Sequence, residues 1–150
     1  MMTRIDARDR LIVALDVPSA AEADALVARM GDQVRFVKVG LELYTVAGPD
    51  IVRKLVDRGK RVFLDLKFLD IEETVRRATA RVAAMGATFL TVHANRKALI
   101  AAVQGRGLSD LKMLAVTALT RFDGDDLRGM GSERSVQDLV TARAMLAAEV

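Results

Sequence analysis

A rhythm runs through this sequence and leaves few folds open to it. Short runs of aliphatic and β-branched residues alternate with longer helical stretches, at intervals of roughly thirty residues. Residues 11–17 (LIVALDV) read as a strand, and residues 19–30 as a helix whose Ser19 and Glu22 form an S-x-x-E capping box. A second strand over 34–39 leads into helical segments over 41–58, broken at Gly48-Pro49 and stopped at Gly59. A third strand over 61–67 leads into a helix over 71–85 closed by Gly86. Residues 89–93 (FLTVH) form a fourth strand, followed by a helix over 96–104 that ends at the turn Gly105-Arg106-Gly107, and residues 113–119 make a fifth strand.

Parallel strands need a crossover connection, so this alternation means parallel βα units. Two architectures satisfy it: an open doubly wound sheet, or part of a (β/α)8 TIM barrel. No G-x-G-x-x-G follows the first strand, which weakens the dinucleotide-binding reading of the open sheet. Residues 135–150 read as an amphipathic helix with no closing glycine and no following strand. A complete barrel takes about 250 residues. The expectation is one domain over 1–150, the first five to six βα units of a barrel, with three more units beyond Val150.

Composition narrows the chemistry. At 51% hydrophobic and 29% charged residues, the chain has the profile of a folded domain. It has no apolar run of about 18 residues to span a bilayer, and the polar start over 1–10 lacks the apolar stretch of a secretory signal. A cytoplasmic location is expected. With no cysteine and one histidine, disulfides, thiolate metal sites and most histidine-based schemes are excluded. The net charge of +3 comes from basic residues interleaved with acids, and aromatics are only 4% of the chain, so a base-stacking nucleic-acid surface is not expected. Carboxylates and lysines must carry any reaction, and a small anionic substrate fits the charge.

The informative segment is VFLDLKFLDIEET, residues 62–74. Asp65 and Lys67 are two apart on a strand and so share a face with Phe63, while Val62, Leu64 and Leu66 face the covering helices. Two charges inside a strand are costly unless they pair or work, and they lie at the strand's C-terminal end, where barrel active sites form. Asp70 completes an Asp-x-Lys-x-x-Asp pattern in the loop that follows. Lys38, flanked by Val37 and Val39 near the end of the preceding strand, is placed to meet Asp65 and Lys67, since neighbouring strands lie about 4.8 Å apart. Asp16 ends the first strand in the same manner.

LIVALDVPS, VKVGLELY, VFLDLKFLDIEETV, TVHA and VTALT, in this order and spacing, resemble the orotidine 5′-monophosphate decarboxylase family over nearly the whole chain. The resemblance implies a barrel enzyme that decarboxylates orotidine 5′-monophosphate to uridine 5′-monophosphate, the last step of de novo pyrimidine synthesis, with no cofactor and no metal. It implies an alternating array of Lys38, Asp65, Lys67 and Asp70 around the reacting carbon. It implies that Asp16 and Thr74 hold ribose hydroxyls, Ile71 lines the pocket and Thr120 contacts the pyrimidine. It also implies a homodimer in which Asp70 and Thr74 reach the neighbouring site. The chain departs from the family pattern at Leu69, where histidine is common, at Glu72, where proline is frequent, and at Arg121, where serine is.

Plainer readings stand beside these. Asp70 with Glu73 is itself a D-x-x-E helix start, so Asp70 serves equally as an N-cap. Asp16 fits a turn before Val17-Pro18, and a threonine at a strand end such as Thr120 is ordinary. His93 fits a core histidine, and Arg76, Arg77 and Arg81 fit a solvated helix face. Among rival functions, the metal-dependent hexulose-phosphate synthase and keto-gulonate-phosphate decarboxylase group shares the Asp-x-Lys-x-x-Asp strand but has an acid in place of Lys38. A hard cation wants oxygen ligands and no ammonium beside them, so Lys38 favours the metal-free reading. A non-catalytic half-barrel is the remaining alternative.

Overall fold

The computed structural model describes residues 5–150; the first four residues of the polar start lie outside them. Five strands, β1 (Ile12–Ala14), β2 (Phe36–Gly40), β3 (Arg61–Phe68), β4 (Phe89–His93) and β5 (Lys112–Val116), alternate with helices. These are α1 (Ala20–Met30), α2 (Leu41–Ala47), α3 (Asp50–Asp57), α4 (Glu72–Ala84), α5 (Arg96–Arg106), α6 (Gly124–Gly129) and α7 (Val136–Ala148). The strands lie in one sheet in the order β1-β2-β3-β4-β5, with β2 parallel to both β1 and β3. That order decides between the two architectures. A doubly wound sheet reverses its direction of growth part-way, whereas a barrel adds every strand on the same side of the last. The fold is α/β with the strand succession of a (β/α)8 barrel.

Local chemistry sets most boundaries. Ser19 caps α1: the Glu22 amide donates to its hydroxyl oxygen at 3.2 Å, and the hydroxyl donates to the Glu22 carboxylate at 3.1 Å. Gly48, at φ 66, and Pro49 separate α2 from α3, as the sequence predicts. The Gly105-Arg106-Gly107 turn expected to end α5 does so at its second glycine: the helix runs through Gly105 to Arg106 and turns off at Gly107, with φ 56. The short α6, absent from the sequence reading, starts with a reciprocal capping box between Asp123 and Asp126.

The chain divides into two compact units, which are described separately. The first comprises the described residues up to Leu66, together with Arg81–Leu90 and Ser109–Lys112. Along β3, Val62 and Leu64 are fully buried, while Phe63 and Asp65 on the alternate face are partly exposed. Phe63 meets the ring of Phe89 edge-on at 6.1 Å, Phe89 lies 5.2 Å from Phe36, and the Arg61 guanidinium stacks 4.4 Å over Phe36. One face of the strand therefore passes from an aromatic floor at Phe63 to charge at Asp65.

The second unit comprises Lys67–Ala80, Thr91–Leu108 and Met113–Val150. In it Asn95 caps α5 by accepting from the Lys97 and Ala98 amides, and the small residues Ala98, Ala101 and Ala102 bury one side of the helix. Gly105 lies so close to α4 that a Cβ there would fall 2.2 Å from the Arg76 carbonyl oxygen. Ser135 caps α7. Among the described residues no helix is long and apolar enough to cross a membrane.

Candidate active site

In the first unit the charged groups gather at the C-terminal ends of β2 and β3. Register places Lys38 beside Phe63, and Gly40 beside Asp65 two residues further on. β1 ends at Ala14, so Asp16 comes from the loop just beyond the strand and not from the strand itself. The Lys38 ammonium donates to Asp16 Oδ1 at 3.1 Å and lies 3.9 Å from Asp65 Oδ2. The first contact is a hydrogen bond; the second is too long for one and acts through charge alone. The Lys38 and Asp65 side chains are only 21% and 17% exposed, so both charges have given up much of their hydration. Asp16 is 67% exposed and keeps most of its hydration.

Gly40, which sequence reasoning overlooked, makes room for this pair. A Cβ at that position would lie 3.3 Å from Lys38 Nζ and 3.5 Å from Asp16 Oδ1. Its φ is −91°, which any residue adopts, so the glycine is there for space. The signal was visible as a glycine following Lys38-Val39 at the strand end.

The second unit holds the rest. Lys67 is exposed and sits in the left-handed region at φ 50, the one non-glycine residue to do so among the described residues. Such a conformation costs on the order of 1 kcal/mol or more and persists only where surrounding contacts enforce it. The Lys67 amide donates to Thr91 Oγ1 at 2.9 Å.

Asp70 is exposed, and its carboxylate accepts from the Ile71 amide at 2.7 Å. The N-cap reading of Asp70 is one residue out of place. Helix α4 starts at Glu72, and the Val75 amide donates to the Ile71 carbonyl at 3.1 Å, which makes Ile71 the cap position. Glu73 is taken up by Arg76 at 2.7 Å and Arg77 at 2.6 Å, and these two ion pairs hold its carboxyl down at about 2. Ile71 and Thr74 are both exposed, Ile71 at 70%, and Leu69 is exposed at 58%. Thr120 lies in an exposed turn beyond β5.

His93, which the sequence reading leaves out of the site, sits partly buried at the end of β4. Burial first, then the charges of Arg143 and Lys67, push its imidazole below the ordinary value of 6.5. The shift favours the neutral imidazole, and the charge of Lys67 is felt there.

Strands that follow one another in a single sheet, with Lys38, Asp16 and Asp65 collected at the C-terminal ends of the first three, define a barrel-type α/β protein. Within that class, the chain belongs to the orotidine 5′-phosphate decarboxylase / HUMPS family, whose model matches residues 9–150. It is 54% identical over 144 residues to an orotidine 5′-phosphate decarboxylase of Nitrobacter winogradskyi, covering 96% of this chain and 60% of that protein. It is 47% identical over 150 residues to one from Bradyrhizobium sp. BTAi1, covering 100% of this chain and 62% of that protein. The crystal structure of orotidine 5′-phosphate decarboxylase from Lactobacillus acidophilus superposes with a TM-score of 0.85 at 37% identity, over 91% of this chain and 66% of that one. An uncharacterized conserved protein from Geobacillus kaustophilus superposes with a TM-score of 0.86 at 38% identity, over 92% of this chain and 68% of that one. The chain thus spans about three fifths of the length of the curated relatives it matches.

Proposed function

We propose that the complete protein carrying this chain decarboxylates orotidine 5′-monophosphate to uridine 5′-monophosphate and CO2, the closing step of de novo pyrimidine synthesis. The observation that carries this reading is the Lys38 ammonium held by Asp16 and Asp65 at the strand ends, with Lys67 two residues further along β3. Its relatives from Nitrobacter and Bradyrhizobium bear the name of that activity.

The reaction sets the demand. When the bond from C6 to the carboxylate breaks, its electron pair stays in an sp2 orbital of C6 that the ring π system does not delocalise. A fixed ammonium beside that carbon lowers the barrier by opposing charge that develops only in the transition state. Lys67 takes this role and then donates its proton to C6, yielding the product's C6–H bond. Asp65 and Asp70 flank the departing carboxylate and hold the two lysines in place, and Lys38 contacts the substrate from β2. Asp16 and Thr74 bind ribose hydroxyls, Ile71 lines the base pocket and Thr120 contacts the pyrimidine. The working unit is a homodimer in the cytoplasm, with Asp70 and Thr74 entering the neighbouring subunit's site. The exposed apolar pair Leu69 and Ile71, adjoining Asp70, supports that surface as an interface.

An ammonium between two carboxylates occupies the position in which a hard cation would collect oxygen ligands, which supports metal-free chemistry over the enediolate branch. The test is turnover of orotidine 5′-monophosphate by the complete protein, with and without a chelator. Decarboxylation that is unchanged in chelator is expected. Activity lost in chelator and restored by Mg2+ would move the protein to the metal-dependent branch.

A further inference from the structure

Lys67 stands apart from every other non-glycine residue described, because its backbone is turned into the left-handed region at φ 50. A side chain that leaves a strand residue in that conformation takes its direction from the local turn, and any relaxation toward extended geometry swings it elsewhere. Something must therefore hold this conformation, and one contact that does so comes from a side chain. The Lys67 amide is met at 2.9 Å by the hydroxyl oxygen of Thr91, where a regular ladder would supply a backbone carbonyl.

Thr91 is suited to this. It lies in the middle of β4, only 6% exposed, and shares a face with Phe89 and His93, while Leu90 and Val92 are fully buried on the other face. A threonine buried there gives up hydration that a valine of the same shape would not miss, so its hydroxyl calls for a reason beyond packing. We propose that Thr91 is a positioning residue: its hydroxyl accepts the Lys67 amide, fixes the left-handed turn and so sets where the Lys67 ammonium stands. The inference rests on the reading of Lys67 as the group beside C6. Its own content is that this lysine is aimed by a side chain on the neighbouring strand. Misplacing a reacting group by about 1 Å can cost roughly a hundredfold in rate. Because the ammonium works in the transition state, the loss should fall on kcat and leave KM nearly alone.

The experiment compares Thr91→Val, Thr91→Ser and Lys67→Ala in the complete protein, measuring kcat, KM, thermal midpoint and the backbone angle at Lys67 by crystallography. Thr91→Val is expected to lower kcat roughly thirty- to hundredfold with KM within about threefold. It should also let Lys67 leave the left-handed region, while Thr91→Ser keeps both kcat and φ close to the parent. If Thr91→Val unfolds, Thr91→Ser against Thr91→Ala carries the same decision: serine keeps kcat and alanine loses it if the hydroxyl aims Lys67, and equal losses overturn the proposal. A folded Thr91→Val with parental kcat beside an inactive Lys67→Ala overturns the role of Thr91 alone. A Lys67→Ala protein that still turns over normally overturns the underlying reading of Lys67 instead.

Discussion

The Lys38 ammonium is held by two carboxylates of unequal kind, one hydrated and hydrogen-bonded, the other mostly buried and reached through charge. Space for the trio comes from Gly40, so Gly40→Ala pushes a methyl group against both Lys38 Nζ and Asp16 Oδ1. Those atoms end flexible side chains, and the fold should survive with a loss of up to about 1 kcal/mol from a poorer start to α2. Turnover should fall about tenfold, and an unchanged kcat would mean that this geometry does not matter to the reaction. His93 offers an independent probe, being the single histidine among these 150 residues. Its midpoint in an NMR titration should lie below 6.5, and replacing Lys67 by alanine should raise it. The sign for stability follows from the same shift. As pH falls below 6.5 the unfolded chain takes up a proton that the folded imidazole resists, so His93 contributes a loss of stability on the acid side. Among the proposed residues, Asp65, Lys67 and Lys38 were legible because charge interrupts an apolar strand. The left-handed turn at Lys67 was not, because no local pattern marks a lysine for that region; the neighbouring strand imposes it.

At the scale of elements, the strands and helices were legible wherever a cap, a glycine or a proline-containing break wrote the boundary into the chain. Ser19 opening α1 and Gly48-Pro49 parting α2 from α3 are of this kind. The Gly105-Arg106-Gly107 turn ends α5 at its second glycine, and the first has a tertiary role. The glycine does not stop α5; it lets the helix touch the α4 backbone at Arg76. Gly105→Ala should therefore force a backbone shift and cost about 2 kcal/mol, lowering the thermal midpoint by several degrees. A Gly105→Ala protein as stable as the parent would show that the two helices part without cost. Next to this contact, the hydroxyl of Thr79 is buried with no partner among the described residues. Thr79→Val removes that unmet group at constant shape and should raise the midpoint by a few degrees, an outcome read in the same melting experiment.

For the molecule as a whole, the strand order bears out the barrel expected from the sequence, although alternating βα units by themselves fit an open sheet as well. Nothing in a single βα unit says on which side its strand will add; that choice belongs to the whole sheet. The proposed dimer predicts complementation. Lys67→Ala and Asp70→Ala proteins, each inactive alone, should regain about a quarter of parental activity when their subunits are mixed and exchanged, because half the dimers are then mixed and each has one intact site. Mixtures that stay inactive would place Asp70 in its own subunit's site. All of this depends on Lys67 facing the carbon that loses CO2. The most direct test is kcat for orotidine 5′-monophosphate in the complete protein with Lys67→Ala, its folding verified by thermal melting. The account predicts a loss of roughly a thousandfold or more, and a folded variant that retains near-parental turnover would contradict it.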